Sequence, residues 1–535
     1  MEALLPRHSD THFANIPYGY YALLVSVGFV LSIIAARFVV HSRPKSNSRW
    51  DRIVSRRWYN ASPLLGLFSL FIPLLVPFVH HYSFLSHLTV YLKRLGRLSY
   101  VLATLNLFLT LRPNLLLPRY VYLNLIPLHK WLSRSIFLLA LLHGGGFLVW
   151  WGTNSETSVV DHAFRNIWNL LGVMILVLLT ILVLVSVKPM RRFSYRNFYF
   201  IHSIASWVFV FATALHARPG VWAPYTVINA GLFVLHIISK TFFARAVELL
   251  PNDLDNQEPF GLSRIVLPRK AMPETFSPAS HLRISQYSRL NPLYFMLPSH
   301  PYTVSTLPDD PYVELIVREH VGGFQLQTGL RYTIQNHYES VPEKCIQNAT
   351  RVALVCGGSG ISYALPIFKY FASGDRATQI TYLKLIWLVR DKHDISVLNH
   401  LKPLTRHNIQ FEIYVTGTLP QDDTDNSRPK AVTPDSGSAS GHDVLEFELE
   451  SLGDHLDQNG ALLQPHDDGP ISAGIASMIH LGKKLDWVTD LAQFVEEDSL
   501  ESTWLVTCGP SGLNDAGKLY AYDNKINLES ETYAL

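Results

Sequence analysis

Two stretches decide the fold: HKWLSRSIFLLALLHGGGFLVWW at 129–151 and YFIHSIASWVFVFATALHARP at 199–219. Each is apolar over the length of a membrane-crossing helix. Each also carries two histidines fourteen residues apart, His129 with His143 and His202 with His216. In an α-helix that spacing is about 21 Å of rise and nearly four whole turns, so both rings of a pair fall near one face. A bilayer's hydrocarbon core is about 30 Å thick, so each pair sets one imidazole towards either side of it. Two such helices side by side would clamp two flat discs, one above the other, and imidazole is a common axial ligand of haem iron. With 23 histidines in the chain, one pair alone would say little. Histidine inside an apolar span is nevertheless usually functional. Structural or proton-handling histidines are the alternative. Gly144, Gly145 and Gly146, which follow His143, suit either close helix packing or room for a porphyrin edge.

The rest of the first 245 residues is built in the same way. Apolar runs at about 20–40, 61–80, 98–114, 129–151, 167–187, 198–217 and 222–240 predict a multi-pass α-helical domain of about seven spans after a polar tail, residues 1–19. Basic residues crowd 41–58 and the loop KPMRRFSYRN at 188–197, which places both on the cytosolic side. Lys93, Arg94 and Arg97 stand just before the third run, on the side that alternation makes external, a local departure from that rule. Spans four and six then run parallel, so His129 should face His202 on the inner side and His143 should face His216 on the outer side. The net charge of +3 does not suggest a nucleic-acid surface. The three cysteines, Cys345, Cys356 and Cys508, all lie in the second half and offer neither a disulfide framework nor a zinc spacing.

At about 250 the composition changes. PNDLDNQEP is a polar linker, and from 262 to 340 short alternating runs predict a small antiparallel barrel, with Val313, Leu315 and Val317 of PYVELIVRE on one face. Within it, His300-Pro301-Tyr302-Thr303, with Ser305 just beyond, sets a hydroxyl, an aromatic ring and an imidazole on one turn. From 350 to 535 the pattern is α/β. RVALVC at 351–356 reads as a buried strand; Gly357-Gly358-Ser359-Gly360-Ile361-Ser362 and an apolar helix follow. Strand, glycine turn and helix make a phosphate cradle, although GxGxxG itself is absent and a purely structural turn is the alternative. A side chain at 358 or 360 would crowd the approach of a pyrophosphate. Strands at 379–390, 409–415 and 503–508 complete a parallel sheet, the last ending in Cys508-Gly509-Pro510. Residues 418–470, rich in Asp, Ser, Gly and Pro, predict a disordered insertion.

Together these motifs resemble the fungal ferric reductase and NADPH oxidase superfamily, and within it the small yeast branch called probable metalloreductases. The resemblance covers about residue 95 to the C-terminus. It implies a transmembrane haem domain over 20–245, followed by a cytosolic ferredoxin-NADP reductase-like module. It implies that His129, His143, His202 and His216 ligate two b haems, and that His300, Pro301, Tyr302 and Thr303 match the flavin motif His-Pro-Phe-Thr and contact FAD. It further implies that Gly357 to Ser362 form the nicotinamide turn, with Cys508, Gly509 and Pro510 near the meeting of nicotinamide and flavin and Cys508 the catalytic residue. Arg390 matches the strand-end region where a 2′-phosphate is read. Two places depart from the family: Ile334–Ser340 stands where a Gly-Pro-Tyr-Gly loop is usual, and the C-terminal aromatic is replaced by Glu531-Thr532-Tyr533-Ala534-Leu535. The expected activity is electron transfer from NADPH through FAD and two haems to a ferric or cupric chelate across a plasma membrane or endoplasmic reticulum bilayer. Superoxide formation from oxygen, or a non-enzymatic membrane partner that has lost its cofactors, are the alternatives.

Overall fold

The computed structural model describes residues 15–42, 63–79, 87–111, 125–154, 158–217, 223–242, 244–250, 261–287, 298–318, 324–339, 343–374, 376–400, 408–417 and 473–531. The polar tail before residue 15, the basic stretch 43–58, the linker 251–259, the insertion 418–470 and Tyr533 lie outside the described residues. Two compact units emerge: Met1–Ala246 with Ser285–Ser299 and Thr333–Asn336, and Val247–Ile284 with His300–Tyr332 and His337–Leu535.

The first unit is helical: α1 (Asn15–Ser42), α2 (Pro63–Leu75), α3 (Leu88–Thr110), α4 (Ile126–Asn154), α5 (Val159–Arg165), α6 (Ile167–Val185), α7 (Lys188–Phe193), α8 (Tyr195–His216) and α9 (Ala223–Phe242). In α1, α4, α6 and α8 the apolar stretch is long enough to cross a membrane, and α2 belongs to a shorter apolar segment. Polar side chains mark where new helices start. Ser158 accepts from the Asp161 amide before α5, Asn166 from the Trp168 amide before α6, and Ser194 from the Asn197 amide before α8. The core gathers on α3, where Leu98, Val101, Leu102 and Leu105 pack with Leu132 and Ile136 of α4 and Phe209 and Val210 of α8.

Helix α3 corrects the expected third span. It begins ten residues before position 98, so Lys93, Arg94 and Arg97 lie within the helix instead of ahead of it. Arg94 is buried; its Nε donates to Asn15 Oδ1 at 3.0 Å and its Nη1 to the carbonyls of Phe78 and Pro77 at 2.5 and 3.3 Å. Those carbonyls belong to the 3-10 turn Val76–Val79 that ends α2. A helix end carries unpaired carbonyls and partial negative charge, so the guanidinium is accommodated where lipid would reject it.

Two β layouts follow the helices along the chain. Strands β1 (Ala244–Glu248), β3 (His281–Gln286), β4 (His300–Thr303) and β6 (Arg331–Tyr338) form one sheet in the order β1-β6-β3-β4, while β2 (Leu262–Pro268) pairs antiparallel with β5 (Tyr312–Arg318). Single bridges from Leu250 to Val266 and from Val304 to Leu315 link the two layers. A six-stranded parallel sheet follows in the order β10-β9-β8-β7-β11-β12, built from β7 (Arg351–Gly357), β8 (Tyr382–Val389), β9 (Ile409–Val415), β10 (Ile479–Leu481), β11 (Thr503–Cys508) and β12 (Asn527–Glu531). The two edge strands, β10 and β12, were not expected. β10 has three residues and β12 reads Asn-Leu-Glu-Ser-Glu, so neither carries an apolar run.

Val313, Leu315 and Val317 are buried as expected, but so are Glu314 and Ile316 on the opposite face of β5. Ile316 joins the core of the parallel-sheet layer. Glu314 is held by Arg264 and by His400, whose Nε2 lies 3.1 Å from Oε2. Nearby, Asp394 accepts from the Leu262 amide at 2.9 Å and pairs with Arg318. Burial alone would raise the Glu314 carboxyl; hydrogen bonds from His400 and Arg264 outweigh it and hold the pKa at about 2, against an ordinary 4.5. A carboxylate with a depressed folded pKa contributes stability that is present above the ordinary value and is lost as pH falls towards the folded one. Thermal unfolding of the detergent-solubilised protein should therefore show up to about 3 kcal/mol of stability lost between about pH 4.5 and about pH 2. Glu314→Gln should flatten that slope and lower stability at neutral pH.

Candidate redox-cofactor sites

Helices α4 and α8 bring the four histidines together as two facing pairs. The ring centroids of His129 and His202 are 6.3 Å apart, and those of His143 and His216 are 6.1 Å apart. In each ring Nδ1 is engaged by a group on the protein. His143 Nδ1 lies 2.7 Å from the Leu92 carbonyl and His216 Nδ1 lies 2.8 Å from the Trp168 carbonyl. A carbonyl only accepts, so both nitrogens carry the proton. His202 Nδ1 lies 3.1 Å from Ser186 Oγ, whose own proton goes to the Leu182 carbonyl at 2.6 Å. The hydroxyl therefore accepts from the ring. His129 Nδ1 donates to Asn106 Oδ1 at 2.9 Å. That amide is oriented by Ser133, which accepts from Asn106 Nδ2 and donates to the His129 carbonyl, both at 2.8 Å. All four rings thus have Nδ1 as the protonated nitrogen and Nε2 as the lone-pair nitrogen, the tautomer of a metal ligand.

Two glycines clear space for these rings. A Cβ at Gly96 would lie 2.8 Å from the His143 ring, and a Cβ at Gly172 would lie 2.6 Å from that of His216. Neither position, nor Asn106 or Ser186, was singled out from sequence. An isolated glycine in an apolar helix was the available signal for the first two. In the Gly144–Gly146 run a Cβ at Gly146 would strike Leu92 and one at Gly144 would press on Leu176 at 3.1 Å, so these two serve packing, whereas a Cβ at Gly145 would meet nothing within 4 Å.

In the second unit, β7 and β11 are adjacent parallel strands with Cys356 opposite Cys508, so the glycine turn and Cys508-Gly509-Pro510 meet. Gly357 to Ser362 pass from the end of β7 into helix α10 (Ile361–Ala372). Trp387 of β8 donates its indole N–H to the Gly358 carbonyl at 2.8 Å, and Ser362 Oγ donates to the Ser359 carbonyl at 2.9 Å, which fixes the turn. Gly358 has φ +53° and nothing within 4 Å of where a Cβ would stand, an opening suited to a close ligand. Gly360 needs its missing side chain for another reason than the one expected. A Cβ there would strike the Cys508 backbone carbonyl and come within 3.3 Å of Cys356 Cβ. Cys508 is 1% exposed. Arg390 follows β8 directly and is exposed.

The stretch His300, Pro301, Tyr302 and Thr303 is strand β4, half-buried throughout, and pairs with β3 through His281↔Thr303 and Ile284↔His300. The His300 ring stacks on Phe324 at 4.6 Å and 9°. Burial, aided by the Arg283 guanidinium, lowers its pKa to about 4, so this imidazole is neutral at physiological pH. Ser305 Oγ is buried and has no hydrogen-bond partner among the described residues.

Family models match the chain in three places: a ferric reductase like transmembrane component over 95–213, an FAD-binding domain over 258–357 and a ferric reductase NAD binding domain over 349–522. Fold and motifs thus define a multi-pass membrane oxidoreductase with a cytosolic nucleotide-binding region that takes FAD and NADPH. The chain is 62% identical to "Probable metalloreductase AIM14" of Lachancea thermotolerans, over 99% of both chains. It is 42% identical to the protein of that name from Zygosaccharomyces rouxii, again over 99% of both. It belongs to this family of ferric-reductase-like metalloreductases. Among solved structures it is similar to a ferredoxin NADP+ reductase from Neisseria gonorrhoeae with bound FAD and NADP, at 14% identity and a TM-score of 0.35 over 55% of this chain and 99% of that one.

The two turn glycines should separate in a stability measurement. Gly360→Val should sharply lower the yield of folded protein, because the obstacle is backbone. Gly358→Ala meets no atom and should cost only the left-handed backbone strain, about 1 kcal/mol. A wild-type unfolding temperature in Gly360→Val would show that the close approach to Cys508 is not what requires the glycine.

Proposed function

We propose that the chain moves electrons from cytosolic NADPH through FAD to two b haems stacked in the membrane, and from there to a ferric or cupric chelate on the far side. When bound, NADPH and FAD supply hydride and single-electron chemistry and the haems supply two one-electron stations. The protein's part is holding, orienting and insulating. His129 and His202 hold the inner haem, and His143 and His216 the outer one. The observation that carries this is the pairing of the four rings, His129 with His202 and His143 with His216, each ring with its Nδ1 engaged by the protein. The fit is dimensional as well. Metal–imidazole bonds are about 2 Å long and a ring centre lies roughly 1 Å beyond its nitrogen, so ring centroids 6.3 and 6.1 Å apart would leave room for one metal ion between the rings of each pair. Asn106, Ser186 and the Leu92 and Trp168 carbonyls keep the protons on Nδ1 and stop the rings from turning.

In the soluble module, the open turn at Gly358 and the backbone amides leading into α10 receive the NADPH pyrophosphate. Cys508 to Pro510 close the neighbouring strand end against that turn and place the nicotinamide. β4, with Tyr302, Thr303 and the neutral ring of His300, contacts FAD. Arg390 reads the 2′-phosphate that distinguishes NADPH from NADH. The membrane is crossed seven times, by α1, α2, α3, α4, α6, α8 and α9, in a plasma membrane or endoplasmic reticulum bilayer. The purified protein should show the absorbance of two b haems per chain, and His202→Ala should bring the ratio down to one and stop NADPH-driven ferric reduction. An unchanged ratio and reduced spectrum in that variant would remove His202 from the ligand set.

A further inference from the structure

The ring of His143 does not stand alone. On the same helix, at i+4 and i+8, come Phe147 and Trp151, and Trp151 stacks on His162 of the short helix α5. The contacts form an unbroken ladder. His143 to Phe147 is 5.3 Å edge-on, Phe147 to Trp151 is 5.9 Å, and Trp151 to His162 is 5.6 Å with the planes only 16° apart. Each spacing lies within the range of rings in direct contact. The far end of the ladder is held in place. Ser158 caps α5 by accepting from the Asp161 amide at 3.1 Å, and Asn169 of α6 donates to the His162 carbonyl at 2.9 Å.

The direction of the ladder follows from the chain. With the nucleotide-binding region cytosolic, α9 runs outside to inside, α8 inside to outside, α6 outside to inside and α4 inside to outside. The C-terminal end of α4 and all of α5 are then on the external side. The ladder starts at the outer histidine pair and ends on the face where a metal arrives. Asp161 and Arg165 of α5 are exposed there, with His162 half-buried between them.

We propose that this ladder is the electron exit: the ferric or cupric complex docks against the Trp151–His162 stack, with His162 touching the metal complex and Phe147 and Trp151 filling the gap behind it with conjugated rings. This rests on the assignment of His143 and His216 to the outer haem. Imidazole suits both iron and copper ions. The Trp151 face, stacked on the His162 ring at 16°, holds it in one orientation. Each docked ion gains one electron, ferric to ferrous or cupric to cuprous. One NADPH reduces two ions, becomes NADP+ and leaves one proton on the cytosolic side. No bond to the protein is made or broken in the transfer except exchangeable coordination by His162.

The test uses full-length protein in membranes with ferric citrate as acceptor and three variants, His162→Ala, Trp151→Leu and Trp151→Phe. Two readouts are taken for each: ferric citrate reduction, and haem reduction by NADPH without oxygen or acceptor. His162→Ala should raise KM for ferric citrate by about fivefold or more and leave kcat near wild type. Trp151→Leu should lower kcat by about fivefold or more, and Trp151→Phe should restore most of it. Haem content and acceptor-free haem reduction should match wild type in all three. Wild-type KM and kcat in His162→Ala and Trp151→Leu would overturn the proposal. So would a Trp151→Leu defect accompanied by lost haem or slowed acceptor-free reduction, since the ring would then belong to the haem pocket. Wild-type protein without haem absorbance would instead overturn the haem assignment itself.

Discussion

A histidine ligates a metal only through a nitrogen that carries no proton, and the neutral ring offers either one. In the membrane unit that choice is made four times, each time with the proton on Nδ1. Two rings donate Nδ1–H to backbone carbonyls, of Leu92 and Trp168. The other two donate to Ser186 Oγ, whose own proton goes to the Leu182 carbonyl, and to the amide oxygen of Asn106, which can only accept. Leu92 and Asn106 stand near opposite ends of α3, and Trp168 and Ser186 bracket α6. These two helices brace α4 and α8 from outside the histidine pairs. Gly96 and Gly172 let them come near enough to do so.

The same α3 shows how one charge of this unit is held. Its first turns carry Lys93, Arg94 and Arg97, and Arg94 ends on the carbonyls that close α2. One helix thus packs through its leucines, secures a neighbouring helix end through a guanidinium, and orients two imidazoles. Substitutions on it should rarely affect a single property.

In the soluble module the governing constraint is the parallel register. Pairing of β7 with β11 puts Cys356 beside Cys508, and both strands end where the chain turns at glycine. Because ligands of open parallel sheets bind at the carboxyl ends of the strands, residues 150 positions apart become one edge. Gly360 is required by this closeness, since the Cys508 carbonyl fills the room a Cβ would need. Gly358 is free of such contact, which makes it the better probe of ligand approach.

Sequence by itself determined the helical half and the parallel sheet, because both follow from local periodicity: long apolar runs for the first, short β-rich runs closed by glycine for the second. It also indicated which histidines stand level, since equal fourteen-residue spacings on parallel helices leave the rings no other match. What it did not contain were contacts between elements. Nothing local to His202 or His129 names Ser186 or Asn106 as partner. The start of α3 was placed late because its arginines read as a solvent-facing flank until the end of α2 supplies acceptors for one of them. The edge strands β10 and β12 lack an apolar run, because an edge needs only one neighbour's hydrogen bonds and little burial. The ladder from His143 to His162 is half legible, its first three rings lying at helical spacing on α4, but its last ring comes from α5. Tertiary structure decided these matters because hydrogen bonds and ring contacts act over a few ångströms in space, whatever the distance along the chain.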